Sequence, residues 1–129
     1  DRAVLRAIHF FSENARVLEE AAALRANDFE SFKQLVIASG RSSFEYLQNT
    51  YSSSHPQEQG VPLALALCEH YLAPHGGAWR VHGGGFAGTV QAYVPKDIFP
   101  EFASRMESVF GKGSCRPLSI RPVGGIRIL

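Results

Sequence analysis

The hydrophobic period of this chain changes once, near Gly76 and Gly77, and that change limits what it can fold into. Before it, apolar residues recur at helical spacing. Val4, Ile8, Phe11, Ala15, Leu18 and Ala22 alternate steps of four and three, one face of a long amphipathic helix. Arg2, Arg6, Glu13, Arg16, Glu19 and Glu20 lie mostly off that stripe, so the stripe is expected to face the interior. Asn27 and Glu30 have the spacing of a capping box and predict a second helix. Phe29, Phe32, Leu35 and Val36 form its buried side, and Gly40 is placed as its stop. Ser42 and Ser43 are candidate caps of a short third helix carrying Phe44 and Leu47. Gln48 to Gly60 is a polar loop, and Pro62 sits in the first turn of a fourth helix through Leu72.

After the glycines the period becomes two. Trp79 and Val81 alternate with Arg80 and His82; Val90, Ala92 and Val94 alternate with Thr89, Gln91 and Tyr93. Ile98, Phe99, Phe102, Met106, Val109 and Phe110 return to helical spacing. Leu118 and Ile120, then Ile126 and Ile128 beyond Pro122-Val123-Gly124-Gly125, predict two more strands and a tight turn. The expected class is α+β, with N-terminal helices packed on a mainly antiparallel four-stranded sheet. At 129 residues the chain suits one domain, 1–129.

Composition excludes several function classes. A formal charge of +1 offers no basic excess for nucleic acid or an anionic membrane, so neither is expected as a partner. No apolar run approaches the ~18 residues of a membrane span. Two cysteines, Cys68 and Cys115, predict reduced thiols and a cytoplasmic location. The single methionine is Met106, so a chain starting at Asp1 is expected to be a piece of a longer one.

The glycine block Gly83-Gly84-Gly85-Phe86-Ala87-Gly88 is the most informative motif. Gly83, Gly85 and Gly88 match G-x-G-x-x-G, but a strand follows where a dinucleotide site needs a helix N-terminus, so that reading is rejected. Two readings remain: a hairpin turn needing positive φ, or bare backbone approaching another surface such as a phosphate. Cys68, His70, His75 and His82 match no zinc spacing, and no metal site is expected. Ser52, Ser53 and Ser54 lack a nucleophile elbow, and no catalytic residue is assigned.

The block Trp79-Arg80-Val81-His82-Gly83-Gly84-Gly85-Phe86-Ala87-Gly88 resembles the third motif of the galactokinase branch of the GHMP small-molecule kinases, usually Met-Thr-Gly-Gly-Gly-Phe-Gly-Gly. Tyr51-Ser52-Ser53-Ser54-His55-Pro56, Glu13-Asn14-Ala15-Arg16-Val17 and Arg121-Pro122-Val123-Gly124-Gly125 resemble other segments of that family's C-terminal domain. Val81, His82 and Ala87 depart from the motif. The resemblance implies transfer of the ATP γ-phosphoryl group to the anomeric hydroxyl of galactose or a related sugar, with Mg²⁺. It implies a cofactor-binding loop of Gly83, Gly84, Gly85, Phe86 and Gly88, and an N-terminal catalytic half as partner. The chain alone is expected to be inactive, to expose an apolar patch near Gly83–Gly88, and to be able to dimerise through it. The alternative is a non-catalytic α+β module that recognises a small ligand or a partner.

Overall fold

Arg2–Arg25 holds neither glycine nor proline, and it forms the 24-residue helix α1. The computed structural model describes residues 1–85, 88–125 and 127. α1 ends at Ala26, and Asn27 turns the chain in the left-handed region at φ 56°. Asp28, rather than Asn27, then caps α2 (Phe29–Ser42). Its Oδ1 accepts from the Ser31 amide at 3.0 Å and its Oδ2 from the Ser31 hydroxyl at 2.6 Å, and these bonds hold the carboxyl below its ordinary range.

Gly40 does not stop α2. It is buried within the helix, where a Cβ would lie 3.1 Å from the Arg80 Cα, so its bare backbone lets α2 approach the first strand. The expected third helix is a continuation of α2: Ser43–Leu47 widens into a π-turn, closed by Gln48 at φ 56°. α3 spans Gly60–Leu72 and α4 spans Phe99–Phe110, ended by Gly111 at φ 91°.

The four-stranded sheet is not formed. Among the described residues the sheet has two strands, β1 (Ala78–Val81) and β2 (Val90–Tyr93), paired antiparallel with Ala78 opposite Tyr93 and Val81 opposite Val90. Leu118 and Ile120 stand exposed outside any strand, and Ile126 and Ile128 lie outside the described residues. Positive φ at Gly111 and Gly113 turns the chain after α4, and Glu107 Oε1 accepts from the Gly113 amide at 2.9 Å. The described residues are therefore predominantly helical, with four α-helices around one small open hairpin.

Strand alternation places helices on both faces of the hairpin. Ala78 packs with Ala23, Phe32 and Val36 from α1 and α2, and the Phe32 ring meets Tyr93 edge-on at 5.4 Å. Trp79 points the other way, into Ala64, Cys68 and Leu72 of α3 and Phe102 and Met106 of α4. Leu72 and Cys68 are wholly buried.

Candidate functional site

The glycine block lies in the loop joining β1 to β2, after His82, whose amide donates to the Thr89 carbonyl at 3.1 Å. Gly83, Gly85 and Gly88 all have positive φ. Gly83, Gly84 and Gly88 have open space where a side chain would start. Gly85 differs: it is buried, and a Cβ on it would lie 2.2 Å from the Asn49 carbonyl oxygen. Asn49 Nδ2 donates to the Gly84 carbonyl at 3.0 Å. Phe86 lies outside the described residues. The surface that this bare backbone approaches is thus the chain's own Asn49. Asn49 and its neighbour Thr50 are nearly fully buried, and Asn49 Oδ1 and Thr50 Oγ1 have no hydrogen-bond partner among the described residues.

The other sequence candidates do not converge. Cys68 is buried while His70, His75 and His82 are exposed, and no group of three or more His, Cys, Asp or Glu that could hold a metal occurs among the described residues. Burial pushes the Cys68 thiol up to about 12, with the nearby Cys115 adding to the shift, so Cys68 carries no thiolate near neutral pH. Ser54 Oγ and His55 Nδ1 are 3.1 Å apart on the surface, within the exposed loop before α3. No helix is long and apolar enough to cross a membrane among the described residues.

No family model matches the chain, and no solved structure matches it. The small two-stranded sheet is not the β-rich architecture that the kinase resemblance implies. Without that fold, neither the phosphoryl-transfer activity nor the sugar-kinase identity has support, and both expectations are set aside. The expected ATP and Mg²⁺ rested on the same resemblance.

The structure instead singles out α1, which sequence periodicity read with the wrong face inward. Val4 is 61% exposed, Phe11 71% and Leu18 72%. Ile8, Phe10, Val17 and Leu24 are exposed as well, and only Ala23 of this helix is buried. A polar strip of His9, Glu13, Arg16 and Glu20 points to the body, while Arg2, Arg6 and Glu19 are exposed. His9 Nδ1 and Ser42 Oγ are hydrogen-bonded at 3.0 Å. Glu13 accepts from Ser39 and Arg16, and it lies 3.9 Å from Arg80 Nη1. Arg80 Nη1 is also 3.9 Å from Glu20 Oε1. Burial raises the Glu20 carboxyl above its usual range; Arg80 opposes this and Glu13 adds to it. Glu20 Oε1 has no hydrogen-bond partner among the described residues.

The inversion has a local cause. The strip of α2 that meets α1 is lined by Ser39 and Ser42, and Arg80 rises beside it from β1. Hydroxyls and a guanidinium leave an apolar stripe nothing to bury against, and they satisfy a charged one. The sequence signal was present but read on one helix alone: Ser39, Ser42 and Arg80 are spread over forty-odd positions, and their meeting is a tertiary fact.

Beside the π-turn, a pocket of about 260 Å³ opens between α2 and α3, lined chiefly by Ile37, Phe44, Leu65 and Trp79. Arg41 and Glu69 face each other across it at 3.6 Å. Its volume falls below the ~300 Å³ at which drug-sized ligand sites begin. Among the described residues an apolar patch lies along α1, while His82, Gly83 and Gly84 of the glycine loop are exposed and Phe86 and Ala87 lie outside the described residues.

Proposed function

We propose that this chain is a protein-docking module whose binding surface is the outward face of α1. One observation carries the reading: α1 is packed with its polar strip inward and its apolar stripe outward. Val4, Phe11 and Leu18 line up along the helix, with Ile8, Ala15 and Ala22 beside them, whereas Phe10, Val17 and Leu24 lie about 100° or more round the helix, outside this face. Contiguous apolar surface of this extent on a folded protein marks an interaction site. Ordinary stability does not account for it, because an exposed Phe or Leu contributes nothing to the core.

The chemistry of the face selects a polypeptide as its occupant. A membrane-surface helix presents Lys and Arg to the headgroups from its polar side. Here Glu13, Arg16 and Glu20 of the polar side are turned into the body against Arg80 and do not face headgroups. The partner-binding alternative therefore moves from the sheet to a helix.

A photo-cross-linking amino acid at position 18 tests this in cells making the protein. The expected result is a discrete adduct whose mass spectrum contains peptide from a polypeptide partner, lost on Phe11→Glu and absent when the probe replaces the exposed Lys112. A lipid adduct, or equal labelling from positions 18 and 112, overturns the reading.

A further inference from the structure

We infer that the occupant of this face is a second copy of the chain, with the two α1 helices packed antiparallel. The inference rests on the docking reading above and names its partner.

The outward residues of α1 fall on a strict seven-residue repeat. Val4, Phe11 and Leu18 occupy one seam position, and Ile8, Ala15 and Ala22 occupy the other. Large and small side chains are distributed so that the seam fits itself only when reversed. In an antiparallel pair, layers form between unlike seam positions. Val4 then meets Ala22 of the second copy, Ile8 meets Leu18, and Phe11 meets Ala15. Each layer outside Ile8–Leu18 places a larger residue over alanine, the interdigitation that close packing requires. A parallel pair stacks Phe11 on Phe11 and Leu18 on Leu18, and leaves Ala15 on Ala15 with a gap.

Glu19 borders the seam, whereas Arg2 and Arg6 fall on the opposite side of α1 by helical spacing, so the direction of pairing rests on the seam's packing. A formal charge of +1 adds almost no long-range repulsion between copies.

The area is enough for a modest dimer. Val4, Ile8, Phe11 and Leu18 together leave on the order of 500 Å² exposed, close to the ~600 Å² per partner at the lower edge of specific interfaces. An interface at that edge belongs with the weak and transient class. α1 spans roughly 36 Å, long enough for all six layers.

Sedimentation equilibrium of the purified chain, with circular dichroism on every variant, tests the proposal. The wild type is expected to dimerise below roughly 300 μM. Leu18→Glu is expected to weaken association at least about a hundredfold while keeping its helical signal and melting temperature. Ala15→Phe overfills the Phe11 layer and is expected to weaken it about tenfold. Val17→Glu, one turn-step off the seam, leaves the Kd within about threefold. A chain that stays monomeric to roughly 300 μM overturns the second-copy proposal. So does an Ala15→Phe variant that binds more tightly, or Val17→Glu weakening as much as Leu18→Glu. A monomer that still gives a position-18 adduct to another polypeptide defeats this inference and leaves the docking reading standing. Loss of the fold in Leu18→Glu shows the face to be internal and defeats both.

Discussion

Gly85 shows how much one hydrogen in place of a side chain can decide. Its neighbours in the block, Gly83 and Gly84, have room for a methyl group; Gly85 at φ 88° has the Asn49 carbonyl where the methyl would go. Gly85→Ala combines left-handed strain with a backbone clash and is expected to destabilise the protein by at least about 2 kcal/mol. Gly84→Ala is expected to stay within about 0.5 kcal/mol. Urea unfolding of the two variants checks the contrast; equal losses would mean that the loop does not seat on Asn49. The sequence left the block as a turn needing positive φ or as backbone approaching a surface; Gly83, Gly85 and Gly88 have the positive φ, and Gly85 also has the close approach. What it approaches was not legible, because Asn49 sits thirty-odd positions earlier in a stretch that reads as an ordinary polar loop.

At the scale of elements, α1 is attached by charges and hydroxyls rather than by oil, and Glu20 is the weak member of that layer. Its folded-state affinity for a proton is raised by desolvation, so the protonated form fits the site better than the carboxylate. The native state then holds a proton that the unfolded chain gives up near pH 4.5. Stability from this group is full below that pH and is lost as pH rises through the raised value. Glu20→Gln, neutral at every pH, is expected to melt about 2 °C higher than the wild type at pH 7 and to show a flatter profile above pH 4.5. A lower melting point at pH 7 would mean that attraction to Arg80 outweighs desolvation. Most element boundaries could be read from the sequence: α3, α4, β1 and β2 fall where periodicity and Pro or Gly punctuation put them. The orientation of α1 could not, because a helical period identifies a stripe but not the surface it meets. The π-turn was equally hidden, since Ser42 and Ser43 read as caps when the helix in fact runs through them.

The whole molecule is a hairpin clasped between two helical layers, and the larger of its two apolar clusters is on the α3–α4 side. Cys68 lies there, wholly buried beside Leu72 and Trp79, while Cys115 is half-buried beyond α4. Both are free. At pH 8 a thiol reagent is expected to label Cys115 at least about a hundredfold faster than Cys68, whose reaction waits for opening of the core. Mass-spectrometric counting of labelled sites over time checks this. Comparable rates would mean that the α3–α4 side opens locally. The two further strands expected after α4 illustrate a limit at this scale: alternation in Leu118 and Ile120 describes residues able to join a sheet, and among the described residues they pair with neither strand of the hairpin.

The charge-held seating of α1 also sets an order of events in time. A helix with one buried residue separates from its neighbours at a small fraction of the free energy needed to open the body. α1 is therefore expected to come loose before the body does, which hydrogen exchange of its amides would show. Arg80, Glu13 and Glu20 are largely sheltered, so salt screens their attraction only in part, while the Trp79 and Leu72 core depends on apolar burial. The protein thus carries two clocks, one set by charge pairing at its N-terminal helix and one set by apolar burial in the rest.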